Sequence, residues 1–162
     1  MQSKQNNNLA IHTANTEEHF TTARDLFTQY AQSLEIDLAF QGFSKELESI
    51  REQYSAPTGT LLLCYKAGLA VGCIAVRRLD DGVAELKRMF VQEEYRKYGI
   101  GQMLLTGAIH AANALGYKYI RLDTLATMKK ALDLYRSAGF YEIPSYRYNP
   151  VPDAVFMEKR LA

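Results

Sequence analysis

Two tight turns constrain the middle of this 162-residue chain more than any other feature. Residues 60–66 (TLLLCYK), 69–78 (LAVGCIAVRR) and 83–91 (VAELKRMFV) are apolar runs of strand length, separated by Ala67-Gly68 and Asp81-Gly82. Asp-Gly between such runs is a strong hairpin signal, because a type I′ turn needs positive φ, which Gly tolerates. Each hairpin reverses the chain, so the three segments form an antiparallel meander.

On either side the period changes. Residues 9–14 (LAIHTA) alternate weakly and read as a short first strand. Thr16 caps a helix with Glu17 and Glu18 in its first turn, where acidic side chains suit the helix dipole. Its apolar stripe runs Phe20, Ala23, Phe27, Tyr30, Ala31 and Leu34. Ser44 is expected to cap a second helix through Leu47, Ile50 and Tyr54, ended by Pro57 and Gly59. After the meander, helical spacing returns from Gly99 to Leu115, with Gly116 in the C-cap position. Residues 118–124 read as a strand, 127–138 as a helix stopped by Gly139, and 154–161 as a closing strand. One or two strands are expected after that last helix. The sum is a mixed α/β sheet in a single domain over 9–162, preceded by an Asn-rich, frayed end over 1–8.

Charge excludes some functions. Nineteen Lys and Arg against eighteen Asp and Glu leave +1. Sequence-blind nucleic-acid binding usually shows a clear basic excess, so an anionic partner must be held by a local device. The start has no signal pattern and no apolar run has membrane-spanning length. Cys64 and Cys73 are too few for a disulfide scaffold and read as small buried apolar residues. The expectation is a reduced, cytoplasmic domain without a membrane or nucleic-acid partner. His12, His19 and His110 show no metal-ligand spacing, so no metal is expected.

The local device is Arg96-Lys97-Tyr98-Gly99-Ile100-Gly101, between a strand and a long amphipathic helix. A helix start offers unpaired N–H groups and partial positive charge, and Gly99 and Gly101 leave that backbone approachable. The segment lacks the Gly-Lys-Ser/Thr ending of a P-loop and the third Gly of a dinucleotide fingerprint. Spacing alone leaves two readings open, a phosphate cradle and an ordinary Gly-rich helix start.

A second block sharpens the choice. Residues 96–101 resemble the Arg/Gln-x-x-Gly-x-Gly/Ala loop of the GNAT superfamily of acyl-CoA-dependent N-acyltransferases. Tyr135-Arg136-Ser137-Ala138-Gly139-Phe140 is similar to that family's Tyr-x-x-x-Gly-Phe block. The two blocks stand in the family's order, and the resemblance covers about residues 9–161. One departure is Met128, where many members carry Asn seven residues before the Tyr.

The resemblance implies a mixed sheet of about six or seven strands, splayed between the fourth and fifth to admit acetyl-CoA as cosubstrate. It places the pyrophosphate on Arg96, Lys97, Tyr98, Gly99, Ile100, Gly101 and Gln102. The pantetheine arm then pairs with the strand edge at Met89, Phe90 and Val91, as an added strand would. Tyr135 matches the family's tyrosine beside the thioester sulfur. A phenol of pKa about 10 keeps its proton at neutral pH and can give it to a leaving thiolate. As a residue alone, Tyr135 reads as a core aromatic on the apolar face of its helix; the Gly-Phe block favours the functional reading.

An acceptor amine of pKa about 10.4 must lose a proton before it attacks. Glu85 is the candidate base. It is eleven residues before Arg96, the separation of the glutamate base in the family's histone-acetylating branch. Strict alternation puts it on the face of Lys87 and Met89. Its other reading is a solvated carboxylate facing Lys87 or Arg88. Lys129, Lys130 and Arg136 read as a solvated face, or as partners of the CoA 3′-phosphate. Tyr141, Tyr146 and Tyr148 shape the acceptor pocket or pack an ordered loop.

The function expected is direct acetyl transfer to a primary amine in a ternary complex, without a covalent acyl-enzyme. The alternative is a CoA-binding sensor or interaction module, which would need neither Tyr135 nor Glu85. The acceptor is not legible; the tract around Glu35, Asp37, Glu46 and Glu48 is only mildly acidic. A homodimer is compatible with the sequence, which carries no signal for it.

Overall fold

The computed structural model describes residues 8–34 and 37–162, so Glu35 and residues 1–7 of the expected frayed end lie outside it. The elements are β1 (Leu9–Thr13), α1 (Glu17–Ser33), a 3₁₀ turn (Leu38–Gln41), α2 (Phe43–Glu48), α3 (Ile50–Gln53), β2 (Thr60–Lys66), β3 (Leu69–Asp80) and β4 (Val83–Val91). A 3₁₀ turn (Glu93–Tyr98), α4 (Ile100–Ala114), β5 (Tyr119–Leu125), α5 (Lys129–Ser137), β6 (Tyr141–Ile143) and β7 (Ala154–Arg160) follow. Among the described residues, seven strands form one sheet in the order β1-β2-β3-β4-β5-β7-β6. The expected mixed α/β architecture is present, and β2, β3 and β4 are antiparallel neighbours as the two turns require.

Both faces of the sheet are covered. Ile100, Leu104, Leu105 and Ala108 of α4 pack with Leu132 and Tyr135 of α5 on one face. Phe20, Ala23, Leu26 and Phe27 of α1 pack with Ile50 and Tyr54 on the other. Thr16 caps α1 as expected, its side chain accepting from the His19 N–H at 3.1 Å. Cys64 and Cys73 are free and buried on opposite faces.

Three expectations need correction. The single helix from Ser44 is two short helices, and Ser44 does not cap either. Gly42, at φ 68°, precedes α2 without a side-chain cap bond. At the break, Ser49 Oγ donates to the Lys45 carbonyl at 2.7 Å, a local bond that competes with helix continuation. Second, Tyr141, expected with Tyr146 and Tyr148 in a loop or pocket segment, begins a three-residue strand, β6, paired to β7; the two strands after α5 are within the one or two expected.

The third correction concerns β4. Cys73 of β3 pairs with Phe90 and Ala75 with Lys87, so β4 spends one more residue than β3 between those pairs. This is a β-bulge, with Arg88 at φ 59°. The extra residue shifts the alternation by one. Ala84 and Leu86 face the α4 side and so do Met89 and Val91, whereas Phe90 joins the α1 side. Glu85, bonded to Arg77, therefore does not share a face with Met89. Strict alternation fails because a bulge at a non-Gly residue leaves no composition signal.

Candidate active site

The bulge and the strand order together open a cleft. β4 pairs with β5 only over Val83–Glu85 and Tyr119–Arg121, in parallel. Beyond that point β5 stays paired with β7 along its whole length, so the two central strands diverge. The splay between the fourth and fifth strands is thus as expected. The free edge of β4 from Met89 to Val91 faces a groove of about 420 Å³, completed by Arg96, Gly101, Lys129, Lys130 and Leu134.

The N-terminus of α4 forms one end of this groove. Gly99 precedes it at φ 73°, a conformation that glycine adopts without strain. The first N–H groups of α4 have no intrahelical acceptor and a partial positive charge. Arg96 Nε donates to the Val91 carbonyl at 2.9 Å, which holds that side chain beside the strand edge. Lys129 and Lys130, at the start of α5, supply further positive charge across the groove. Loop, strand edge and flanking cations together fit a long, thin ligand with phosphate at one end, and acetyl-CoA is such a ligand.

Not every residue of the expected loop reaches the groove with its side chain. Met89, Phe90, Val91, Arg96 and Gly101 line it. Ile100 is fully buried in the core, so only its backbone is available. Tyr98 turns toward Lys66 and Lys97, whose ammonium groups lie 4.3 and 5.6 Å from its ring. Gln102 is exposed on α4.

The groove runs into a smaller cavity of about 60 Å³, which shares Tyr30, Met89, Met128 and Ala131 with it. Tyr135 is in its wall. Its ring packs edge-on against Phe140 at 5.8 Å, so the Gly-Phe block orients the phenol. Burial, then the nearness of Tyr30 and Asp123, holds the Tyr135 phenol well above its ordinary pKa, and it stays protonated at neutral and mildly alkaline pH.

Glu85 is fully buried, and both its oxygens are engaged. Arg77 donates through Nε at 3.0 Å and the Tyr146 hydroxyl at 2.8 Å; Arg147 also donates to it. It is not the solvated carboxylate of one reading, and it is absent from the cavity wall. The structure places it where it ties the segment between β6 and β7 down onto β4.

Asp123 of β5 is in that wall, with Lys87, Arg88, Thr124 and Asn149. Asn149 donates to Asp123 at 3.2 Å. Sequence reasoning passed over Asp123, although an Asp inside an apolar strand is itself a signal, since strands deplete that residue. Asn149 had no such signal, because only the chain return through β6 and β7 brings it near. Beneath the cavity Arg88 forms a fork with Glu46, at 2.9 and 2.6 Å. Burial opposes ionisation of Glu46, and Arg88 overrides it, holding the carboxyl below the usual carboxylate range.

No helix among the described residues is long and apolar enough to cross a membrane, and no group of His, Cys, Asp and Glu side chains there is placed to hold a metal ion.

Comparison with known proteins agrees with this geometry. The model of the acetyltransferase (GNAT) family matches residues 20–140. An uncharacterised N-acetyltransferase of Schizosaccharomyces pombe is 32% identical over 96% of each chain. The crystal structure of an acetyltransferase from Streptococcus agalactiae superimposes with a TM-score of 0.78, at 25% identity, over 96% of this chain and 99% of that one. An acetyltransferase from Salmonella typhimurium, solved with its cofactor acetyl-CoA, has the same fold at 15% identity, with a TM-score of 0.72 over 96% and 95% of the two chains. With a family model that matches residues 20–140 and spans both sequence blocks, this chain belongs to the GNAT family of acetyltransferases.

Proposed function

We propose that this enzyme transfers the acetyl group of acetyl-CoA directly to a primary amine held in the small cavity. The observation that carries this reading is the continuity of groove and cavity through Tyr30, Met89, Met128 and Ala131, with Tyr135 in the cavity wall. The cosubstrate supplies a thioester as acyl donor. Residues 96–102 and the cations at 129 and 130 hold its phosphates, and the edge at 89–91 takes its amide-bearing arm. The same edge offers backbone donors to a developing oxyanion. Tyr135 gives its proton to the departing sulfur.

The proton on the incoming amine needs a different group. Glu85, expected in this role, is occupied by Arg77, Arg147 and Tyr146. We assign the base to Asp123, which shares the cavity wall with Tyr135, and a positioning role to Glu85. The two variants separate these roles. Asp123→Asn is expected to lower kcat/KM by about 10²–10⁴-fold, chiefly through kcat. Glu85→Gln should raise KM for the acceptor and leave kcat nearly unchanged. The opposite pattern returns the proton to Glu85.

Thiol release from acetyl-CoA across a panel of amines tests the reaction itself. Calorimetric binding of acetyl-CoA without amine-dependent release of thiol would leave a CoA sensor. Charge at the groove gives a further prediction. Replacing Lys129 and Lys130 together by Ala should weaken acetyl-CoA binding by about 10-fold at low salt and leave kcat at saturation unchanged. The difference should shrink as salt rises, because exposed charges are screened over about 8–10 Å.

A further inference from the structure

Four side chains line both the groove and the small cavity, and they frame the neck between the two. Met89 comes from β4, and Tyr30 from α1 on one face of the sheet. Met128 and Ala131 come from the start of α5, on the other face. The lining is hydrocarbon, thioether and one phenol, so it discriminates by size and not by charge. On the acetyl-transfer reading, the cosubstrate arm follows the edge at 89–91 and brings the thioester to this neck. The acyl carbons then point through it toward the amine. The cavity beyond has about 60 Å³ against about 420 Å³ for the groove, and it must take the nitrogen of the acceptor beside Asp123. Each methylene added to the acyl chain competes for that space or pushes against packed walls, which yield at a cost.

Of the four, Met128 sets the width. Ala131 offers only a methyl group, and Met89 belongs to the strand edge itself. Tyr30 is fixed from behind, its ring edge-on to Phe90 at 5.9 Å and beneath the Arg88 guanidinium at 6.0 Å. Met128 is a long side chain on a fixed backbone. Its N–H donates to the Leu125 carbonyl at 3.0 Å, and its carbonyl accepts from the Leu132 N–H at 3.0 Å. Thr124 Oγ1 donates to its sulfur at 3.7 Å, which restrains an otherwise adaptable thioether.

We propose that Met128 sets the acyl-chain limit of this enzyme, closing the neck to acyl groups longer than acetyl. The proposal rests on the acetyl-transfer reading of the same site. The chemistry is the same for every simple thioester. A C–N bond forms and the C–S bond breaks, the amine proton goes to Asp123, and Tyr135 protonates the thiolate. A comparison of chain lengths therefore reads fit alone.

The experiment compares acetyl-, propionyl- and butyryl-CoA by thiol release, with an amine that the panel finds active. One methylene at a hydrophobic pocket is worth about 10–200-fold. Wild type should therefore favour acetyl-CoA over butyryl-CoA in kcat/KM by about 10²-fold, with propionyl-CoA between them. Met128→Ala should bring the three within about 10-fold of one another, and Met128→Val should give an intermediate profile. Met128→Leu, of nearly the same volume, should keep the wild-type order. Thermal melts check that each variant is folded. Binding supplies a readout without turnover. In calorimetry with no amine present, wild type should hold acetyl-CoA about 10-fold more tightly than butyryl-CoA, and Met128→Ala should remove the difference. Equal use of the three thioesters by wild type overturns the proposal. So does an acetyl preference that survives in folded Met128→Ala and Met128→Val, or one that is lost in Met128→Leu. No thiol release with any amine, but an intact difference in binding, would sink the transfer reading and leave the neck standing. Amine-dependent release that is indifferent to chain length would do the reverse.

Discussion

Tyr135→Phe is expected to lower kcat by about 10²–10⁴-fold while acetyl-CoA still binds, because it removes the phenolic hydroxyl and keeps the ring. The Tyr135 ring is buried against Phe140, and Phe keeps that ring contact. Stability should therefore hold, and circular dichroism with a thermal melt checks it. A thiolate leaving without a donor into a buried site is costly, since the site cannot solvate it as water does. A thioester of a more acidic thiol needs less help, so the deficit should shrink with such a donor. Because the phenol's pKa is raised, wild-type kcat should show no loss from Tyr135 ionisation until well above pH 10. An unchanged kcat in Tyr135→Phe would remove the acid role and leave a core aromatic.

Glu46→Gln should be strongly destabilising. Glu46 is 3% exposed and takes both prongs of the Arg88 guanidinium, which also lies 5.4 Å over the Phe43 ring and 6.0 Å over that of Tyr30. Gln leaves the Arg88 charge buried beside the cationic neighbours already there. Removing one partner of such a pair costs about 3–5 kcal/mol, or a fall in Tm of roughly 10 °C for a domain of this size. Urea titrations at neutral pH measure it. The double change Glu46→Gln with Arg88→Met should recover most of the loss, since no unpaired charge then remains.

The pH dependence of this pair has a defined sign. The folded carboxyl has a pKa below its ordinary value, so the pair's contribution is complete above the unfolded pKa of about 4.3 and disappears as pH falls through the folded pKa. The gap in stability between wild type and Glu46→Gln should therefore be wide at neutral pH and narrow in acid. A gap independent of pH would mean that packing, not charge, is what Glu46 contributes.

The groove half of the candidate site was legible because its signals are local. Gly99 and Gly101 stand at a helix start, and Met89–Val91 end a strand whose direction follows from Asp81-Gly82. The cavity half was not. Glu85 could be placed on β4, but its partners Tyr146 and Arg147 are 61 and 62 residues away, on a segment with no period. Asp123 and Asn149 are 26 residues apart, and only the antiparallel return of β7 along β5 brings them together.

By itself, the sequence determined the element order, the meander, the Gly-rich helix start and the Tyr-x-x-x-Gly-Phe block, since turns, caps and periodicity act over a few residues. Only the tertiary structure decided which face Met89 occupies and which carboxylate reaches the cavity. The reason lies in β4. One extra residue, Arg88 at φ 59°, shifts the alternation beyond it, and the packing of Arg88 on Glu46, Tyr30 and Phe43 holds a conformation that an arginine adopts at a cost.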